Sequence, residues 1–412
     1  MSVVRPFMAV RPKNGLEDKI AALPYDVYNR KEAKEAVKDN PLSFLNIDRA
    51  ETNLSDDVDT YDPVVYKKAR ELYENMLNEG NFVKDSKPCF YLYEQTMDGR
   101  TQTGLVCCAS VDEYVNGTIK KHENTRADKE LDRINHVDTV NAQTGPIFLA
   151  CKSNSVVNAL FATVKSGAPY CDFVSDDGIR HKAWLIEEEP LISAFEEAFL
   201  KIDNLYIADG HHRCASAAKV SLMRREKAAS FDKDAENNSF LSVIFPENEL
   251  MIMDYNRVVK DLNGLSVDDF LSKIKASFDV EEITLSDEKP TKKGDIYMFL
   301  ADKEYKVSLK KEFLSNDPIK KLDVSVLQDN LLEPVLGISD PKTDKRIDFV
   351  GGIRGVKELR RRINEDCVVA FAMYPTQMSE LFDVADAGLL MPPKSTWFEP
   401  KLRSGLFIHE LV

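Results

Sequence analysis

Hydrophobic positions along this chain recur with two periods, about two for strands and about 3.6 for helices, and the switches between them mark out the elements. The first fifty residues hold short apolar stretches broken by proline. "VVRPFMAVRP" and "ALPYDVYN" come first, then a helical "RKEAKEAVKDN" ending at Pro41, then "LSFLNID", which reads as a strand. Residues 51–62 are acidic and polar, a solvated loop. Pro63 opens an amphipathic helix with Val64, Ala69, Leu72, Tyr73, Met76 and Leu77 on one side, and Gly80 closes it. "CFYLYEQTMDGRTQTGLVCCASVDEY" predicts a hairpin turning at Asp98-Gly99, and "PYCDFVSDDGIRHKAWLI" another at Asp177-Gly178. Residues 116–146 are polar and dense in charge, and 119–133 read as a loop. "GPIFLAC" and "SFLSVIFP" read as strands, "NALFATV" and "PLISAFEEAFLKI" as helices.

From about 260 the pattern changes. "VDDFLSKIKASF" predicts a helix, "DIYMFLADKEYKVSL" a hairpin and "VSVLQDNLLEPVLGI" a helix, after which strand and helix alternate through "RIDFVGG", "VKELRRRIN", "CVVAFAMYP", "QMSELFDVADAG" and "SGLFIHEL". The 412 residues exceed what one core usually holds. The expectation is an α+β protein with mixed sheets, residues 1–259 forming one region and 260–412 a C-terminal α/β region. No repeat or low-complexity linker sharpens the boundary.

Composition excludes several classes. Hydrophobic residues make up 43% and charged residues 30%, an ordinary balance for a folded chain. The formal net charge of −14 repels nucleic acid, and no block of Lys and Arg overcomes that field locally. The N-terminus lacks the unbroken apolar core of a secretion signal, and no apolar run approaches the ~20 residues that span a bilayer. The expectation is a cytoplasmic protein with no membrane partner. Seven cysteines without a C-x-x-C pair indicate neither a disulfide framework nor a zinc ribbon. The oligomeric state stays open between monomer and homodimer.

The chemistry concentrates in "YIADGHHRCASAAKV", residues 206–220. An apolar strand ends at Asp209, Gly210 permits a tight turn, and a helix begins with His211, His212 and Arg213; Ala215 and Ala218 let that helix sit close to a sheet. Free N–H groups at such a helix start, beside the positive end of its dipole, form a phosphate site, to which Arg213 and the imidazoles add donors. The alternatives are an Asp209 helix cap with exposed bases, or a metal site. Adjacent histidines without an H-x-x-x-H pair argue against zinc, and a nucleotide-borne Mg2+ touched by Asp209 suits the spacing better.

Three further stretches carry candidates. In "HENTR", Glu123 suits a general base and Arg126 an anion clamp, with His122 and Thr125 beside them; a solvated charged turn is the alternative. "MPPKST" holds Lys394 and Ser395 behind two prolines without the glycines of a Walker loop, and serves either as structure or to deliver Lys394 to a cleft. "LPYDVYN" places Asp26 between two tyrosines after a proline.

Taken in order and spanning nearly the whole chain, "LPYDV", "KHENT", "IADGHHR" and "MPPKSTWFEPKLRSGL" resemble the family catalogued as domain of unknown function 1015. "ADGHHR" is also similar to the signature loop of the ParB/sulfiredoxin-like superfamily. That resemblance implies a core that binds nucleotide phosphates on a glycine loop. Its free-serine kinases carry a D-G-H-x-R loop and use a glutamate on the serine hydroxyl. Its sulfiredoxins place a cysteine where this chain has His211, and Cys214 follows Arg213 instead. ParB clamps bind DNA, which the acidic charge opposes.

Carried over, Asp209 touches metal or phosphate, Gly210 opens the loop, and His211, His212 and Arg213 hold the transferring group, with Lys394 and Ser395 as further nucleotide contacts. Glu123, Asp209 and His211 form the catalytic set, and Asp26, His122, Thr125 and Arg126 face the substrate. The resemblance implies ATP or ADP with Mg2+ as cofactor and a hydroxylated metabolite such as serine as acceptor, in line with the family's association with serine-biosynthesis genes. A non-catalytic nucleotide or phosphometabolite sensor is the second reading, and a metal-dependent hydrolase built on Asp209, His211, His212 and His122 the third.

Overall fold

The computed structural model describes residues 1–285 and 288–412, with helices and several sheets in an α+β arrangement. The chain divides into two units, one of Met1–Leu250 with Pro400–Val412, the other of Met251–Glu399. The change of sequence pattern near 260 falls close to the division, but residues 400–412 belong to the first unit.

A nine-stranded mixed sheet organises the first unit. Its strands are β1 (Val4–Arg5), β2 (Phe90–Met97), β3 (Arg100–Ser110), β4 (Ile119–Lys120), β5 (Ile147–Cys151), β6 (Cys171–Val174), β7 (Arg180–Ile186), β8 (Leu205–Asp209) and β9 (Ser239–Pro246). They lie in the order β4-β8-β5-β9-β3-β2-β7-β6, with β1 also on β3. The pairings β4–β8 and β5–β9 are parallel and the rest antiparallel. Both predicted hairpins form, because turn chemistry is local: Asp98 and Gly99 take φ of 51° and 78°, which the Asp-Gly pair tolerates. In β3, Leu105 to Ala109 are all buried, so this central strand reads as an unbroken apolar run rather than an alternation.

The helices of this unit include α1 (Pro63–Asn78), α2 (Ala127–Val140), α3 (Ser155–Lys165), α4 (Glu189–Phe199) and α5 (His211–Lys227). Asp62 caps α1 by accepting from Val64 N at 2.9 Å. One core joins the sheet to α3, α4 and α5 through Phe90, Leu105, Phe161, Phe195, Ile207 and Ala218. A second gathers Phe44, Val65, Tyr73, Phe82 and Ile408, so the C-terminal segment is part of it.

Two local expectations fail in this unit. "LSFLNID" forms a helix over Leu45–Asp48 instead of a strand. Its apolar-polar alternation comes from Asn46 and Asp48, which are buried and bonded rather than solvated. Part of the 119–133 segment read as a loop is α2, whose inward residues Asp132, Arg133 and His136 are polar and therefore give no apolar stripe.

The second unit is built on β10 (Tyr255–Val259), β11 (Phe278–Ile283), β12 (Asp295–Leu300), β13 (Lys303–Leu309), β14 (Ile347–Gly351) and β15 (Val369–Ala372), in the order β11-β13-β12-β15-β10-β14. Its helices include α6 (Val267–Ile274), α7 (Gly355–Glu365) and α8 (Met378–Asp386). Every pairing in this sheet is antiparallel, so the expected α/β region is α+β. Alternating strand and helix patterns do not specify which strands become neighbours.

Candidate functional site

The junction of β8 and α5 is built by three local choices. A register irregularity against β5 between Ile207 and Asp209 re-aims the strand end. Gly210 is the N-cap of α5 at φ 90° and ψ 33°, a left-handed conformation costly for other residues. A Cβ there would also lie 3.1 Å from Arg213 Nε, so the guanidinium would have to shift to admit a side chain. Without a capping side chain, the first-turn N–H groups of this 17-residue helix keep their donor capacity.

Asp209 does not cap the helix. Its Oδ1 accepts from Gly210 N at 2.8 Å and its Oδ2 from Lys401 Nζ at 3.1 Å. Burial would raise its pKa, but the Lys401 ammonium and the Arg213 guanidinium outweigh it and hold the carboxyl well below the usual range. Arg213 Nη1 donates to Pro146 O at 2.6 Å.

His211 and His122 are buried and meet edge to face, with ring centroids 4.6 Å apart. Burial pushes His122 down to about 4, against the opposing effects of the Ile207 backbone and Asp209. His211 is driven well below its usual value by burial and then by His122. Both are neutral at pH 7. His211 Nε2 is buried with no hydrogen-bond partner among the described residues, a cost that a ligand acceptor or donor there would relieve. His212 Nε2 accepts from the Arg126 backbone N at 3.0 Å, which ties the "HENTR" segment to the loop. Half-buried, His212 is lowered by desolvation against the pull of Asp26.

The structure thus brings His122, Arg126 and the D-G-H-H-R loop together, with Asp26 near His212. Glu123 follows His122 on the exposed side, and Asp26 is exposed in the turn Tyr25–Val27. The Arg126 guanidinium is bidentate on Asp128 at 3.2 and 2.7 Å, and Thr125 donates to Glu130 at 2.9 Å, so both side chains are engaged locally. Lys394 and Ser395 belong to the second unit. There Lys394 takes φ 59°, its carbonyl accepts from Arg257 at 3.0 Å and its ammonium lies over the Tyr255 ring, while buried Ser395 donates to Pro392 O at 2.7 Å.

Sequence reasoning missed Lys401, although "PKLRSGL" is one of the stretches that carries the resemblance. It also missed Tyr25 and Arg133. The buried Arg133 guanidinium stacks 3.9 Å from the Tyr25 ring centroid and pairs with Asp132 at 2.8 Å. Among the described residues no three His, Cys, Asp or Glu are grouped to hold a metal ion. No helix there is long and apolar enough to cross a membrane.

Several solved structures are similar to this chain at low identity. A mutant free serine kinase in complex with ADP shares 14% identity at a TM-score of 0.37, covering 76% of this chain and 95% of its own. Free serine kinase in complex with AMP shares 13% at 0.36, covering 75% and 93%. SbnI with a C-terminal truncation, from Staphylococcus aureus, shares 12% at 0.35, covering 71% and 82%. No curated protein matches the sequence. A family model matches residues 4–325, and this chain belongs to that family, the proteins of unknown function DUF1015.

Proposed function

We propose that this chain binds a nucleotide, ATP or ADP, at the junction of β8 and α5 and transfers its terminal phosphoryl group to the hydroxyl of a small metabolite, free serine being the first acceptor to offer. In this reading the first unit carries a ParB/sulfiredoxin-like nucleotide-binding core. The observation that carries the proposal is the uncapped helix start at Gly210, set between Arg213 and His211 Nε2, which has no partner among the described residues.

Each residue has a part. N–H groups of the first turn of α5 and the Arg213 guanidinium hold phosphate oxygens, and His211 and His212 flank the transferring group. Glu123 takes the proton of the acceptor hydroxyl as its oxygen bonds to the terminal phosphorus. The bond to the bridging oxygen breaks, and the shortened nucleotide leaves with that electron pair. Asp26, His122, Thr125 and Arg126 flank the loop on the side from which the acceptor hydroxyl approaches, Arg126 through its backbone bond to His212. A nucleotide-borne Mg2+ usually meets protein at one or two carboxylates, and Asp209 fits as one. Bound there it would neutralise phosphate charge, a task Lys401 and Arg213 share.

Phosphorus NMR of the protein with Mg2+ and either ATP or ADP, offered a pool of hydroxylated amino acids including serine, tests this. A new phosphomonoester resonance, lost in Arg213→Ala, supports the proposal; unchanged nucleotide sinks it. Inorganic phosphate alone means hydrolysis. The exposure of Glu123 favours one rival, a nucleotide sensor without chemistry. Glu123→Gln separates the two: transfer collapses at least a hundredfold while ADP binding persists.

A further inference from the structure

Beside the loop lies a cavity of about 310 Å³, at the small end of ligand sites, which run roughly 300–1,000 Å³. Lys129, Asp132, Arg133 and His136 line it from one face of α2, at spacings i, i+3, i+4 and i+7. A narrower space of about 30 Å³ shares Tyr25, Asp48, Arg133 and His136 with it and is lined on its other side by Gly145 and Arg213. The cavity and the D-G-H-H-R loop therefore share a wall, made by Arg133 stacked on Tyr25.

The charges around the cavity divide into two kinds. Arg133 is paired with Asp132, and Arg49 with Glu51 at 2.6 Å. Among the described residues, four others have no ion pair within 4.0 Å other than one with a neutral histidine, although Arg30 is felt by Asp56 and Asp57, and Asp48 by Arg133, at longer range. Among the described residues Arg30 donates to the carbonyls of Val58 and Ser55, at 2.6 and 3.0 Å, and its Nε has no partner. Lys129 donates to the Tyr61 hydroxyl at 2.8 Å. Asp59 accepts from the Tyr61 backbone N at 2.8 Å. Buried Asp48 accepts from the Thr144 hydroxyl at 2.8 Å, and its ionic neighbour at 4.0 Å is His136, which burial lowers to about 4 and leaves neutral. Two cations and two carboxylates whose hydrogen bonds go to neutral groups, around one small space, are complementary to a small zwitterion.

We infer that this cavity is the acceptor site and that the acceptor is a hydroxylated α-amino acid, its carboxylate read by Arg30 and Lys129 and its ammonium by Asp48 and Asp59. The inference rests on the phosphoryl-transfer reading for the word acceptor, while the binding site itself stands apart from it. Tyr25 and Arg133, which also line the narrower space with Arg213, mark the side of the cavity nearest the loop.

Isothermal titration calorimetry of the full chain without nucleotide tests it, with L-serine, L-threonine and L-homoserine as probes, followed by the methyl ester and the ammonium-free hydroxy acid of the best binder. The expected result is saturable binding of at least one amino acid, at least tenfold weaker for its ester and for the hydroxy acid. Lys129→Met weakens it at least tenfold and leaves ADP affinity unchanged; Arg30→Met, checked for folding by circular dichroism, does the same. Binding of none of the three, equal binding of the ester, or an unaffected Lys129→Met overturns the inference. ADP titrated into the same preparation separates the two readings. ADP binding without amino-acid binding removes the cavity and spares the nucleotide site. Amino-acid binding with no ADP binding and no phosphomonoester keeps the cavity and removes the transfer reading.

Discussion

Lys401 donates to Asp209 Oδ2 at 3.1 Å across 192 positions of sequence, joining the returning C-terminal segment to the loop that starts α5. Both side chains are partly exposed, 21% and 32%, so solvent screens the pair. A double-mutant cycle with Lys401→Met and Asp209→Asn, read by urea unfolding at pH 7, is expected to give a coupling of about 1 kcal/mol. The Asp209 pKa is lower folded than unfolded, so this stability is present above the unfolded value near 4 and is lost as pH falls below it. Coupling indistinguishable from zero would show that the pair is incidental.

Gly210→Ala places a side chain at φ 90° and against Arg213. The expected cost is about 1–3 kcal/mol of stability, read as a lower urea midpoint, together with weaker ADP binding as Arg213 is displaced. An unchanged midpoint means that the loop relaxes freely and is not a preformed cradle.

His211→Phe separates ligand binding from stability. The ring keeps its contact with His122, and the replacement removes a buried nitrogen that bonds to nothing described in the protein. Stability should stay within about 1 kcal/mol of the wild type. ADP affinity, by calorimetry, should fall at least tenfold. Retained affinity removes His211 from the phosphate site.

Stability should also fall as pH drops from 6.5 to 4. His122 and His136 are each lowered to about 4 by burial, so in this window the unfolded chain binds protons that the folded chain does not. Unfolded protonation exceeds folded, the slope of stability with pH is positive, and each site contributes on the order of 3 kcal/mol across the window. Urea midpoints at pH 7, 5.5 and 4.5 measure it, and His122→Phe should flatten the trend by roughly one proton. A flat wild-type profile contradicts the buried neutral imidazoles.

How much of this was legible in sequence depends on how local each feature is. The hairpin at Asp98-Gly99 and the strand, glycine and helix at 205–227 follow from neighbouring residues alone, and they appear where the pattern places them. α2 escaped because Lys129, Asp132, Arg133 and His136 turn charge inward toward a cavity, which leaves hydrophobic periodicity nothing to detect. Leu45–Asp48 escaped because buried Asn46 and Asp48 imitate the outward face of a strand.

By itself the sequence determined the elements whose signals lie within one or two turns, the glycine-started helix, and the residue types of which the proposed phosphate site consists. Tertiary structure alone decided that Lys401 neutralises Asp209, that His122 meets His211, and that α2 lines a cavity behind Tyr25. These are pairings between segments far apart in the chain. Local propensity sets the shape of each segment, whereas burial and charge compensation select their partners only once the chain has folded back on itself.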